Sequence, residues 1–211
     1  MKSKNLKIII LNYLLKNKSK LKINSNDILK GDVFVSLQGN NTHGNLYIKH
    51  ALKKGARYII TDKKSGLSDI ENNILLVNDT LGFLLTIANK KRNMFKGKVI
   101  GITGSVGKTT IKENLKFFLS AVSKVSASIK SYNNYLGVLI SIINIDLHSN
   151  FAIFEIGTNN FNEIKNLTSI VSPEQIIITN IFPTHIANFK NTRNIAKEKS
   201  DIFNSEFNSN V

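Results

Sequence analysis

The residues best equipped for chemistry lie in one run, Thr103-Gly104-Ser105-Val106-Gly107-Lys108-Thr109-Thr110. The apolar stretch Val99–Thr103 before it reads as a strand, and a helix is predicted over Thr109–Ala121 after it. A glycine-bearing turn between a strand and a helix is the setting in which a phosphate loop works. Glycine lets backbone N–H groups converge on phosphate oxygens, and the helix N-terminus adds partial positive charge. In such a loop Lys108 neutralises the β and γ phosphates and the Thr109 hydroxyl ligates Mg²⁺. The generic pattern has glycine five residues before Gly107, where this chain has Ile102, so the segment is a variant. The plain alternative is a glycine turn ahead of an ordinary helix.

Five further positions could join this loop. Glu155 ends the apolar run Phe151–Ile156, and ligand sites in parallel sheets form beyond the C-terminal ends of strands. A carboxylate there suits a Mg²⁺ ligand; the other reading is a strand-end charge reaching water. His185 follows the strand predicted over Gln175–Asn180 and could bind a metal as neutral imidazole, or lie exposed on a loop. Lys199 shares a helical stripe with Ile195, Ile202 and Phe203, whereas Lys197 falls on the polar face with Arg193, Ser200 and Asp201. A lysine on a buried stripe must pair, shift its pKa or be chemically neutralised, unless its stem snorkels to solvent. Asn133 and Asn134 precede a helix predicted over Tyr135–Ile145, where they could cap it or bind substrate at a site rim.

The elements that must hold these residues form an α/β fold in two parts. Residues 1–80 read as a small mixed α/β unit. Its strands fall at Val33–Leu37, Arg57–Thr61 and Ile74–Val77, with a helix over Leu46–Lys54 and a polar loop over Gly66–Asn73. A helix is predicted over Thr80–Met94, its apolar face carrying Leu81, Leu84, Leu85 and Ala88, and 81–95 is taken as the connecting helix between the two parts. Phe95-Lys96-Gly97-Lys98 marks a boundary, and 96–211 alternates strand and helix. Helices are expected over Glu163–Val171 and Asn191–Phe207, so this second part is a parallel-sheet ATPase domain built on the phosphate loop.

Composition narrows the classes. The 211 residues hold no cysteine, which excludes disulfides and thiolate metal sites. The net charge of +15 could draw anionic partners. Lysine is spread along the chain, however, without the aromatic interleaving of a single-strand binder, so no nucleic-acid partner is expected. Met1–Leu15 is basic then apolar, but Lys16–Lys22 follows where a cleavage site would stand. A cytoplasmic protein without stable membrane insertion is expected.

Taken together, these stretches resemble the Mur ligases of peptidoglycan synthesis. Gly31–Gly39 with Ala51–Ala56 looks like the family's N-terminal UDP-sugar domain, and Thr103–Thr110 with Lys112-Glu113 looks like its ATP loop. Tyr132-Asn133-Asn134 with Gly137-Val138 is similar to its Asn-Asn-x-x-Gly segment. Glu155-Ile156-Gly157, Asn159 and Glu163-Ile164 are similar to its metal-binding strand and following helix, and His185 through Phe203 to its His-to-Lys-Ile-Phe segment. The chain departs from the family pattern at Asn24-Ser25-Asn26, where Asp-Ser-Arg is usual, and at Leu139, Thr158, Asn162 and Ala187.

The resemblance implies an ATP- and Mg²⁺-dependent ligase, monomeric, with Lys108, Lys199 and His185 as its catalytic residues. Thr109, Glu155, His185 and a carbamylated Lys199 would gather around Mg²⁺, with Ser25, Asn133 and Asn134 on the substrate. The partners implied are a UDP-N-acetylmuramoyl peptide and D-alanyl-D-alanine, joined through an acyl phosphate. The family's third domain has no counterpart before Val211, so residues 1–211 alone are expected not to complete ligation; efficient amide formation by them would contradict this. The alternatives are another Mur or folylpolyglutamate-type ligase, or a nucleotide-binding remnant without catalysis.

Overall fold

A computed structural model describes residues 2–16, 19–39, 41–63, 72–129 and 131–203. Contacts divide the chain into two compact units, Met1–Lys90 and Lys91–Val211. The division falls inside a helix rather than at the Phe95–Lys98 segment.

The first unit contains α1 (Lys2–Leu15), β1 (Leu21–Lys22), β2 (Val33–Val35), α2 (Ile48–Lys53), β3 (Tyr58–Thr61), β4 (Ile74–Leu76) and most of α3 (Thr80–Met94). Its four strands lie in the order β1-β2-β3-β4, and every pairing is parallel. Parallel strands are short apolar runs covered on both faces, and β2 and β3 are buried throughout. Ile28, Phe34, Ile48, Ala51, Ala56 and Ile59 form the core cluster.

The basic-then-apolar N-terminal stretch, to which the sequence reading assigned no element, is helical. Ile10 and Leu14 are buried, and Tyr13 donates a 2.9 Å hydrogen bond to the Gly31 carbonyl while packing edge-on against Tyr58. The helix expected from Leu46 begins later. Gly44–Tyr47 is a 3-10 turn capped by His43, whose Nδ1 accepts from the Asn45 N–H, and Leu46 is left exposed. The polar loop expected over Gly66–Asn73 lies outside the described residues except for its last two positions.

The second unit contains β5 (Lys98–Thr103), α4 (Lys108–Ser120), β6 (Val125–Ala127), α5 (Tyr135–Ile143), β7 (Phe151–Glu155), α6 (Glu163–Val171), β8 (Gln175–Ile178), α7 (Ile186–Phe189) and α8 (Thr192–Ser200). Its sheet has the order β6-β7-β5-β8, again parallel at each pairing. Ile100, Ile102 and Ile153 centre its core, with Ile111, Leu115 and Leu119 of α4 packed against them. The register pairs Ile102 with both Glu155 and Ile177, which brings the C-terminal ends of β5, β7 and β8 to one edge. α8 stops at Ser200, and Asp201–Phe203 is a 3-10 turn; Asn204–Phe207 lie outside the described residues. Among the described residues no helix is long and apolar enough to cross a membrane.

Arg92 fixes how α6 hands over to β8. Ser172 ends α6 in the left-handed region (φ 45), which leaves terminal carbonyls needing donors. The Arg92 guanidinium supplies them, at 2.7 Å to the Val171 carbonyl and 2.8 Å to that of Ser172, and also pairs with Glu174. Glu174 in turn accepts from the Val99 N–H at the start of β5. Arg92→Ala strips two partly buried carbonyls and one carboxylate of their donor. It should lower stability by about 2–3 kcal/mol in urea unfolding of the chain.

Candidate active site

The turn between β5 and α4 has the conformation its glycines allow. Gly104 (φ 146) and Gly107 (φ 82) both occupy the positive-φ region. At Gly104 an added Cβ would also collide with the Thr179 side chain. The turn is fastened to the end of β8 and the residues after it. Ser105 N–H donates to the Asn180 carbonyl, Val106 N–H to Asn180 Oδ1 at 3.0 Å, and Thr179 Oγ1 to the Val106 carbonyl at 2.7 Å. Ser105 Oγ and Phe182 exchange two more bonds, 3.0 and 2.9 Å. α4 makes its first backbone bond from Ile111 N–H to the Gly107 carbonyl, so the amides of Lys108 to Thr110 belong to the first turn, which a helix leaves without intrahelical partners. Lys108 folds back over the turn and donates to the Gly104 carbonyl at 2.7 Å. Such a preorganised cup of amides around an ammonium suits a polyphosphate.

Glu155 closes one side of this cup. It is 1% exposed at the end of β7. Its Oε2 accepts from Thr109 Oγ1 at 2.8 Å, and its Oε1 accepts from Asn133 Nδ2 at 2.7 Å. The Lys112 ammonium stands 4.0 Å from Oε2. Asn133 is held by its own backbone, whose carbonyl accepts from Gly157 N–H at 2.9 Å; a Cβ on Gly157 would press into the Asn133 side chain. Asn134 is occupied differently: its Oδ1 caps α5 by accepting from Gly137 N–H at 2.9 Å.

Lys199 is buried in α8, on the stripe with Ile195 and Ile202, while Lys197 is exposed. Phe203, expected on that buried stripe, is 61% exposed because the chain leaves the α-helix at Ser200. Burial, and after it the positive charge of Lys108, push the Lys199 pKa down to about 8, against the opposing pull of Glu198. Burial likewise lowers Lys108, with Glu155 opposing. Lys108 thus lies within electrostatic reach of both Lys199 and Glu155.

Among the described residues no hydrogen bond or ion pair joins His185 or Ser25 to this cluster. His185 is exposed in the left-handed region (φ 54) at the start of α7, and its recorded bonds are to its backbone carbonyl, from Asn188 and Phe189. No hydrogen bond or ion pair among the described residues joins its imidazole to Glu155 or Lys199. Ser25 belongs to the first unit, in a 3-10 turn, with its hydroxyl 3.0 Å from His50 Nδ1. Among the described residues no three His, Cys, Asp or Glu side chains cluster as a metal site. The oxygen pair Thr109 Oγ1 and Glu155 Oε2 nevertheless has the hard-donor character Mg²⁺ prefers, with phosphate and water oxygens left to fill the remaining positions.

Two residues of this region escaped the sequence reading. Lys112 is wholly buried, four residues after Lys108 and on the α4 stripe with Ile111, Leu115 and Leu119; the spacing argument applied to Lys199 would have found it. Glu198 is 2% exposed and accepts from Asn162 N–H (2.7 Å), Ile164 N–H (2.9 Å) and Thr158 Oγ1 (3.2 Å). It does for α6 what Asn162 does not, since that residue makes no side-chain cap. Nothing local in the sequence signals so distant a cap.

Comparison with known proteins now bears on this arrangement. The model of the Mur ligase family catalytic domain matches residues 19–141, and that of the Mur ligase middle domain matches residues 102–210. The chain belongs to the Mur ligase family. Similar relatives are the UDP-N-acetylmuramoyl-tripeptide–D-alanyl-D-alanine ligases of Rickettsia prowazekii (strain Madrid E) and of Buchnera aphidicola subsp. Baizongia pistaciae. The first is 41% identical over 89% of this chain and 41% of its own, the second 31% identical over 81% and 37%. Among solved structures, MurF of Thermotoga maritima in complex with ADP superposes with a TM-score of 0.75 at 31% identity, over 92% of this chain and 44% of that one. MurF of Acinetobacter baumannii gives 0.75 at 29% identity, over 88% and 40%. The chain therefore spans about two fifths of the length of these Mur relatives.

The Lys199 environment has a measurable signature. Between its folded value of about 8 and the unfolded lysine value near 10.4, the unfolded chain binds more protons, so stability should rise with pH across that window. The penalty for burying the ammonium is fully present below pH 8. Competitive acylation of lysines with mass-spectrometric readout should find Lys199 half-reactive near pH 8, whereas an ordinary profile near 10.4 would contradict the burial described here.

Proposed function

We propose that the chain carries the ATP-handling and UDP-sugar-handling parts of an ATP-dependent ligase that joins D-alanyl-D-alanine to a UDP-N-acetylmuramoyl-tripeptide. The observation that carries the nucleotide part is the contact of Thr109 with Glu155 at the mouth of the phosphate turn. The similarity to D-alanyl-D-alanine-adding ligases supports the substrate assignment.

On this reading the amides of Ser105 to Thr110 and the Lys108 ammonium bind the triphosphate of ATP. To do so Lys108 exchanges its bond to the Gly104 carbonyl for phosphate oxygens. Thr109 and Glu155 would hold Mg²⁺, which when bound offsets phosphate charge as the γ-phosphoryl group moves to the substrate carboxylate. The resulting acyl phosphate is attacked by the amine of D-alanyl-D-alanine, forming the amide and releasing phosphate. Lys108 draws the two anionic reactants together, and Asn133 keeps Glu155 facing the loop. Asn134 reads better as a helix cap than as a substrate ligand.

Lys199, with its lowered pKa, holds a larger share of neutral amine than a free lysine, which favours reaction with carbon dioxide. A carbamate there would replace a buried cation beside Lys108 with an anion able to join the metal. His185, exposed at the start of α7, is the further candidate ligand for that metal. Ser25 is assigned to the UDP-sugar of the first unit. We read the protein as a monomer acting in the cytoplasm.

Two measurements test this. Isothermal titration of the 211-residue chain with ATP and Mg²⁺ should show binding, and Lys108→Ala should weaken it roughly 100-fold, the loss of one charge-assisted contact group. Equal affinity of the two proteins would overturn the nucleotide assignment. Incubation with ¹³C-bicarbonate should give a carbamate carbon resonance that Lys199→Ala abolishes; its persistence in that variant would assign the carbamate elsewhere.

A further inference from the structure

Lys112 is the second buried ammonium of the site, and neither phosphate binding nor the substrate reading uses it. Its side chain has no exposed surface. From α4 it reaches the Ser128 carbonyl just beyond β6, donating at 3.0 Å, and stands 4.0 Å from Glu155 Oε2 at the end of β7. It also pairs with Glu113 at 3.1 Å, which is half exposed and therefore screened by water. Glu155 is buried and carries a single Oε1 bond from neutral Asn133 and a single Oε2 bond from neutral Thr109. A buried carboxylate held only by neutral donors is costly, and a nearby cation offsets that cost.

We propose that Lys112 is a positioning residue for Glu155: it is the resident counter-charge that keeps the carboxylate turned toward Thr109 before a divalent cation arrives, and the cation then takes over that duty. The proposal rests on the reading of Glu155 as a cation ligand. Its physical basis is geometric. Lys112 is tethered by the Ser128 carbonyl 4.0 Å from Glu155 Oε2, whereas Lys108 bonds the Gly104 carbonyl. Both lysines act on Glu155 electrostatically, but Lys112 is the one within 4.0 Å of its carboxylate.

The test is a double-mutant cycle on the full 211-residue chain, followed by thermal unfolding without metal or nucleotide. Lys112→Met should lower the midpoint by more than about 6 °C, because it leaves a buried carboxylate without its cation. Adding Glu155→Gln should recover at least half of that loss. Simple additivity of the two substitutions would overturn the proposal. If Lys112→Met does not fold, Lys112→Gln with and without Glu155→Gln gives the same comparison. A second arm adds Mg²⁺ and ATP. The cation should substitute for the missing ammonium, so the midpoint rise should be larger in Lys112→Met than in the parent chain; an equal or smaller rise contradicts the handover. If Glu155→Gln alone leaves the Mg²⁺-dependent rise of the parent unchanged, the reading of Glu155 as a cation ligand fails. The metal-free cycle still decides whether Lys112 holds it.

Discussion

Everything at the mouth of the phosphate turn depends on one buried carboxylate. Glu155 sits at the end of an apolar strand with 1% of its surface exposed, and three side chains from two other segments converge on its carboxylate. Thr109 comes from α4, Asn133 from the segment before α5, and Lys112 from one helical turn beyond Thr109. The parallel register of β5 with β7 makes this convergence possible, because it sets Glu155 beside Ile102 and one residue short of the turn. The same requirement explains small details. Gly157 must lack a side chain because Asn133 lies against it, and Gly137 because the Tyr132 backbone does.

A second constraint is positive charge. Lys108, Lys112 and Lys199 are all at least partly buried in one unit, and two of them, Lys108 and Lys199, have pKa values lowered by that burial. On the proposed function these cations are tolerable, because polyphosphate and carboxylate ligands would supply the missing charge.

Much of this was legible in the residues, and the failures have physical reasons. α3 and α6 were readable to the residue because a clear apolar stripe ran between a polar start and a turn signal. The burial of Lys199 followed from its spacing with Ile195, and Glu155 from its place at the end of a strand. β1 and β6, of two and three residues, are too short to show a period, and in α1 the apolar run places exposed Ile8 and Ile9 beside buried Ile10 and Leu14, which blurs any helical stripe. Helix starts were misplaced where a side chain from outside the periodic stretch decides them, as His43 does for the turn before α2. Glu198 was invisible because its partners lie more than thirty residues away, and no local pattern encodes a cap supplied across space. Asn133 and Asn134 are identical in type and adjacent, yet one faces a carboxylate and the other a helix N-terminus; only the backbone direction separates them.

The central claim is that Thr109 and Glu155 form the protein's share of a divalent-cation site at the phosphate turn. The most direct measurement is the anomalous difference map of crystals of this chain grown with Mn²⁺ and a non-hydrolysable ATP analogue. The account predicts one strong peak within bonding distance of both Thr109 Oγ1 and Glu155. A peak elsewhere, with the Thr109–Glu155 hydrogen bond intact and nucleotide present in the turn, would contradict it.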